Sequence, residues 1–239
     1  MGGGTHRDVL GELGRRISAG SIAPGTVLTL AGIEQEQGAS RTVVREAVRV
    51  LESMGMVESR RRVGITVRPR ELWDALDPQL IQWNLDGPFR QQQLEALAEL
   101  RVAAEPMAAR LAARRASPAQ RAELRRLADR LVELGGRGLG ASEPYLEADV
   151  AFHALLLAAS GNPLLAVLER PVQAVLEGRT RLGLTPAIPA EGTLEEHMRV
   201  ALAVAGADQD AAERHSRAHM RTVWGEVAEE VRGAAADQA

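Results

Sequence analysis

The chain has no cysteine, and none of its 29 basic residues is lysine; every one is arginine. The first absence removes disulfide frameworks, thiolate nucleophiles and cysteine-based zinc fingers, so any metal site must be built from histidine and carboxylate. The second reads as a bias of composition, since arginine stands even at surface positions such as Arg125 and Arg126. Aromatics are scarce, with one Tyr and two Phe, which leaves the core to Leu, Ala and Val, as in closely packed antiparallel helices. No apolar run approaches the roughly 18 residues that a membrane span needs. The opening Met1 to Gly4 lacks the charged and apolar regions of a signal peptide. The expectation is a cytoplasmic protein with no membrane partner. Walker-type loops, the Gly-rich dinucleotide fingerprint and the Gly-x-Ser-x-Gly elbow are also missing, which removes support for phosphate-cofactor and serine-hydrolase chemistry.

The net charge of −3 conceals a division. Residues 1–70 hold eleven Arg against seven Asp plus Glu, a balance of +4, while the remainder holds eighteen against twenty-five, a balance of −7. A small basic head on an acidic body suits nucleic-acid binding by the head. The domain expectation is residues 1–70 as that head, 71–89 as a linking segment, and 90–239 as a helical body. The anchors Trp73, Leu80, Ile81 and Trp83 predict that the link docks on a surface and does not hang loose.

Within the head, Val9, Leu10, Leu13 and Ile17 have helical spacing and end before Gly20. A second helix is predicted over Leu30–Gln37, stopped by Gly38, and a third from Arg41 to about Met54 with Ser40 as its cap. Val44, Ala47, Val48 and Leu51 form one stripe of the third helix; Arg41, Thr42, Arg45 and Arg49 form the other. Two short alternating segments, 56–59 and 65–67, then flank Arg60-Arg61-Arg62-Val63-Gly64, a hairpin with a basic tip. This order predicts a winged helix-turn-helix on double-stranded DNA. Arginines of the third helix would read base edges in the major groove. Ser40, Thr42 and the wing residues Arg61, Arg62 and Gly64 would serve the phosphates.

The body reads as helices over 91–115, 118–134, 143–159, 163–180, 193–205 and 208–231, an all-α antiparallel bundle. Ser117-Pro118 and Asn162-Pro163 mark two starts. Asp149 and His153 are four apart on one helix, and His197 and His219 lie on two others. Together they would offer N and O donors to a divalent metal, with zinc, nickel, manganese and iron all suited. No carboxylate is placed as a general base beside them, and the expectation is a binding protein, not an enzyme.

The run Ser40-Arg41-Thr42-Val43-Val44-Arg45-Glu46-Ala47-Val48 closely resembles the recognition helix of GntR-family regulators in the FadR-like branch. The resemblance implies that Arg41, Thr42, Arg45 and the wing around Gly64 contact operator DNA. It departs at the second helix, where Thr29-Leu30-Ala31-Gly32 replaces the usual Ser-Glu-Arg opening. The body resembles that branch's FCD-type ligand domain. Asp149-Val150-Ala151-Phe152-His153 matches its first two metal ligands, and Glu196-His197 and His219 match the third and fourth, with zinc as the first choice of ion. His215, one turn before His219, has no counterpart and is assigned to the surface. Arg101 in Leu100-Arg101-Val102-Ala103-Ala104-Glu105-Pro106 matches an arginine that faces the effector, with a salt bridge to Glu105 as its alternative; Arg179 is a further pocket candidate. The resemblance implies a homodimeric repressor controlled by a small organic acid. The Trp73–Trp83 pattern looks most like the branch that answers to sugar acids such as galactonate.

Overall fold

The computed structural model describes residues 6–236, with side chains described as far as residue 225. The chain divides into two compact units, Met1–Arg90 and Gln91–Ala239, and is mainly α-helical.

The first unit runs α1 (His6–Ser18), β1 (Val27–Leu28), α2 (Leu30–Gln37), α3 (Arg41–Ser53), β2 (Val57–Arg60), β3 (Gly64–Val67), a 3-10 turn over Arg70–Leu72, and α4 (Pro78–Asp86). Local chemistry sets the boundaries. The Thr29 hydroxyl accepts from Gly32 N to start α2, and Gly38 ends it at a left-handed φ of 59°. Asp77 caps α4 by accepting from Gln79 N and Leu80 N, with Pro78 in its first turn. The strands form an antiparallel sheet in the order β1-β3-β2, with Val57 opposite Val67 and Arg60 opposite Gly64. The two-residue β1, opposite Thr66 and Ile65, is too short to leave a periodic signal in the sequence.

Leu13, Ile17, Val44, Leu51, Met56 and Val67 fill the core of this unit. Residues 71–89 belong to the same packing. Trp73, Leu80 and Trp83 join that core, and the surface that receives them is the chain's own α1. Gly14 makes this possible: a Cβ there would lie 2.1 Å from the Trp83 ring, so only a bare backbone lets the indole seat. Arg70 ties the arrangement together. It donates to the Ser18 carbonyl at 2.7 Å and to Asn84 Oδ1 at 3.2 Å, and its guanidinium lies over the rings of Phe89, 3.9 Å from the centroid, and Trp73, at 4.9 Å.

The second unit comprises α5 (Arg90–Arg115), α6 (Pro118–Gly136), α7 (Glu143–Ala159), α8 (Pro163–Ala166), α9 (Glu169–Arg181), α10 (Thr193–Ala205) and α11 (Gln209–Ala236). Ser117 and Gln120 form a reciprocal capping box at α6, and Asn162 caps α8. The single helix expected over 163–180 is two. Pro171 has no N–H for the carbonyl of Val167, and its ring would strike that carbonyl in a continuous helix, so the chain breaks between Ala166 and Glu169. Phe152, Leu124, Leu131 and Leu156 anchor the core, and alanines such as Ala109, Ala112, Ala128 and Ala201 let the helices approach closely. A second cluster of Leu157, Leu168, Val172 and Leu176 seats α9 on α7.

Candidate DNA interface and candidate metal centre

The buried stripe of α3, Val44, Ala47, Val48 and Leu51, holds the helix against the first core. Arg41, Thr42, Arg45 and Arg49 consequently stand exposed on its other side. Ser40 is exposed, and its hydroxyl accepts from Val43 N at 3.4 Å, so it serves as the helix cap. Facing α3, the β2–β3 tip turns through Arg62 at φ 66° and Gly64 at φ 118°. A Cβ on Gly64 would sit 2.7 Å from the Leu28 carbonyl oxygen, so glycine is what lets β1 close on β3.

Between these elements lies a groove of about 640 Å³, lined by Arg41, Arg45 and Arg49 from α3 and by Arg60, Arg61 and Arg62 from the tip. Arg49 pairs with Glu46 at 2.5 Å and Arg60 with Glu58 at 3.1 Å, while Arg41, Arg45, Arg61 and Arg62 make no ion pair among the described residues. Unpaired guanidiniums gathered on one exposed surface attract a polyanion and displace its counterions. Arg60, read from the sequence as part of the basic tip but not as a contact residue, joins the set because β2 extends through it. Ala31 lines the same groove at the start of α2.

The second unit gathers a different kind of cluster. Asp149 and His153 project from α7, His197 from α10 and His219 from α11. One nitrogen from each of the three histidines falls within 4.8 Å of the others, and all three rings are buried. Asp149 Oδ1 lies 3.2 Å from His197 Nε2 and 3.4 Å from His153 Nε2. The Thr193 carbonyl oxygen lies 2.9 Å from His197 Nδ1, which turns that ring's Nε2 toward the cluster. His219 has both nitrogens buried without a hydrogen-bond partner, an expensive arrangement for a polar ring unless another group uses them. Three imidazoles and one carboxylate converging in a largely buried site suit a divalent cation of the zinc class. His215 stands apart, its Nδ1 2.8 Å from Glu196 Oε2 and its side chain partly exposed.

Arg101 and Arg179 line the same cavity, both buried, together with Tyr145, Thr185, Pro186 and Thr193. The cavity measures about 40 Å³. The salt bridge given as the alternative for Arg101 is formed, its Nε donating to Glu105 Oε1 at 2.5 Å, and its Nη2 lies 3.2 Å from His153 Nε2. Glu105, weighed from the sequence only as a competitor for Arg101, is 1% exposed, and its Oε2 lies 2.6 Å from His153 Nδ1. The i, i+4 spacing of Arg101 and Glu105 was the signal for the first contact; nothing in the sequence signalled the second.

These contacts set the protonation states. Burial alone would push the Glu105 carboxyl up, but Arg101 and His153 overcome it and hold it at about 2. Asp149 is likewise opposed by burial and held well below the usual carboxylate range by hydrogen bonds to His153 and His197. Burial would lower His153, but the Glu105 carboxylate outweighs it and raises the imidazole to about 9. Burial pushes His219 well below the ordinary histidine value, with His197, His153 and Arg101 adding to the effect and Asp149 opposing it. His219 is thus neutral at pH 7, the form that can ligate.

Residues 5–67 match the bacterial regulatory proteins of the gntR family, and residues 96–222 match the FCD domain. The chain is 32% identical over 215 residues to the galactonate operon transcriptional repressor of Escherichia coli K12, covering 88% of this chain and 90% of that protein. This chain belongs to the GntR family. It is also 30% identical over 213 residues to the transcriptional regulator LutR of Bacillus subtilis 168, covering 87% of this chain and 94% of that one. Among solved structures, E. coli McbR/YncC superposes with a TM-score of 0.53 at 19% identity, covering 94% of this chain and 97% of that one, a likeness of fold. As a GntR regulator with an FCD domain, the chain is a DNA-binding regulator of transcription, and its relatives are regulators, not enzymes. No helix among the described residues is long and apolar enough to cross a membrane.

Proposed function

We propose that this GntR regulator is a homodimeric repressor that grips a two-fold operator through the arginine groove and is controlled by a small carboxylate, of sugar-acid type, held beside a divalent metal in the second unit. The observation that carries the reading is the convergence of His153, His197 and His219 with Asp149 beside the buried Arg101. The similarity to a galactonate operon repressor supports the choice of effector class. Asp149, His153, His197 and His219 would hold the cation, zinc first and nickel, manganese or iron after it. A bound cation supplies an electrophilic anchor for a carboxylate or hydroxyl oxygen. Arg101 supplies the opposing arm, because a guanidinium meets a carboxylate with two parallel hydrogen bonds, and Arg179 adds positive charge to the same cavity. Arg41, Arg45 and Arg49 would reach base edges, with Ser40, Thr42, Arg61, Arg62 and the backbone at Gly64 on the phosphates.

A cavity of about 40 Å³ takes an ion and a few waters, not a six-carbon acid. Effector entry therefore requires the helices around it to shift, which gives the ligand a packing to prefer and hence a means of altering operator affinity. Two-fold symmetry in a dimer predicts two-fold symmetry in the operator. The test is calorimetry of metal-loaded protein against a panel of sugar acids and small dicarboxylates, repeated on His197→Ala and Arg101→Ala. One acid that binds the native protein and neither variant is the expected result. Binding indifferent to both substitutions overturns the pocket. Operator binding that follows metal alone, with no acid effect, makes the cation itself the signal.

A further inference from the structure

We propose that Glu105 is the positioning residue of the cavity in the second unit: one carboxylate orients the metal-facing imidazole of His153 and fixes Arg101 beside it. This rests on the metal-site reading above and names a residue that the ligand set does not contain.

The argument starts from how each imidazole is held. An imidazole has two nitrogens, and whichever one is committed to an acceptor carries the proton, leaving the lone pair on the other. His197 is committed through Nδ1 to the Thr193 carbonyl at 2.9 Å. His219 is committed to nothing, since neither nitrogen has a hydrogen-bond partner. His153 faces a charged group, with Nδ1 2.6 Å from Glu105 Oε2, an ion-pair contact that lies outside hydrogen-bond geometry and biases the ring through charge. Its Nε2 then points to the shared centre, 3.4 Å from both Asp149 Oδ1 and His197 Nε2. A carboxylate behind an imidazole makes it a more basic donor than a carbonyl does, so His153 becomes the strongest of the three nitrogens.

The second oxygen of Glu105 has an independent task. Oε1 takes the Arg101 Nε hydrogen at 2.5 Å, which leaves the guanidinium lining the cavity with Nη2 3.2 Å from His153 Nε2. Arg101 and Glu105 are one turn apart on α5, and both are almost fully buried at 3% and 1% exposure. Neither group has access to solvent as an alternative partner. A carboxylate this deeply buried, with one oxygen on each arm of the site, holds the anion arm and the metal arm at a set separation.

The experiment uses the full-length protein and zinc alone as probe, titrated in competition with a chromophoric chelator. Glu105→Gln keeps the shape and one acceptor but loses the charge, and it is expected to weaken zinc binding about 10- to 100-fold while the helical circular dichroism is retained. Arg121→Met serves as the control for general damage to the unit, because Arg121 ties α6 to the carbonyls of Ala113 and Ala205 far from the cluster. It should lower the melting temperature and leave zinc affinity unchanged. The nitrogen NMR spectrum of the zinc-loaded native protein supplies a readout that needs no variant: His153 should be protonated at Nδ1 and ligated through Nε2. Unchanged zinc affinity in Glu105→Gln overturns the proposal, as does an equal loss in Arg121→Met or ligation of His153 through Nδ1. Should the native protein fail to bind any divalent cation, the metal-site reading falls and takes this proposal with it.

Discussion

In the groove of the first unit, Arg41, Arg45, Arg61 and Arg62 stand exposed with no carboxylate partner among the described residues, whereas in the second unit Arg101 is sealed at 3% exposure against Glu105. The same side chain is used under opposite conditions. In water, an isolated guanidinium costs little to maintain, and the repulsion among several is screened within about 10 Å at 0.1 M salt. Their value lies in what they have not yet bound. Burial reverses this, because a charge removed from water must be matched by a partner within the protein. The second unit meets the demand by placing Glu105 against Arg101 and His153, and Asp149 against His153 and His197, at 2.5–3.4 Å, while His219 is left without a hydrogen-bond partner. On the proposed reading, binding at the groove is additive and salt-dependent, and binding at the cluster is concerted.

The largest effect that sharpens this contrast is expected from His197→Ala. Structural zinc sites bind with roughly 10–16 kcal/mol in total, so loss of one donor of four costs about two to three orders of magnitude in zinc affinity. Chelator competition measures it. A loss under tenfold would show that the cluster is not acting as a unit. In the groove, Arg45→Ala should cost about 1–3 kcal/mol of operator binding and relax preference at the base pair it reads. Arg61→Ala should weaken all sequences alike and reduce the slope of log affinity against log salt by about 1. Fluorescence anisotropy on operator and scrambled duplexes over a salt series checks both. Equal loss on both duplexes for Arg45→Ala would place that residue on phosphate.

The two regions were unequally legible in the sequence. The groove could be read because its parts are consecutive: a cap at Ser40, an amphipathic helix and a basic hairpin occupy one stretch of 25 residues from 40 to 64. The cluster is assembled from three helices, α7, α10 and α11, and only the one-turn pair Asp149–His153 is local. Placing His197 and His219 beside it needed the resemblance to a family, and the Glu105–His153 contact, which spans α5 and α7, left no trace in spacing. The seat of Trp83 on Gly14 escaped for a related reason, since a glycine inside a helix reads as a weak point until its neighbour is known. The split before Pro171 was partly within reach, because the proline is visible, but Pro106 is equally visible inside the unbroken α5, so a proline alone does not say where a helix ends.

Protonation offers a further way to separate the regions. In the second unit His153 is raised to about 9, above its ordinary 6.5. Its charged form therefore stabilises the fold fully below the ordinary value, and that contribution is lost as pH rises through about 9. Glu105, depressed to about 2, contributes above its ordinary range and loses that contribution as pH falls toward 2. A cation needs neutral His153, so zinc uptake at pH 7.5 should release about one proton, and none well above pH 9. Calorimetry in buffers of differing ionisation enthalpy reads the count; a count of zero at pH 7.5 would mean that His153 is already neutral or does not ligate.

Smaller effects follow away from either site. Gly14→Ala forces a Cβ against the Trp83 ring and should destabilise the first unit by about 1–3 kcal/mol in denaturant unfolding monitored by tryptophan fluorescence. An unchanged midpoint would mean that the indole has another seat. At the bottom of the scale, Arg126→Ala removes an exposed pair with Glu123 and should leave thermal unfolding unchanged.

The clasp around Arg70 bears on how force travels along the chain. Residues that link domains commonly absorb displacement as slack. Here Phe89 is stacked on Arg70, Arg70 is bonded to the end of α1, and Trp83 is sunk into the notch at Gly14. A pull applied to the chain beyond Phe89 meets a lever arm fastened to α1 at two points, and it reaches the helices behind the arginine groove as a torque.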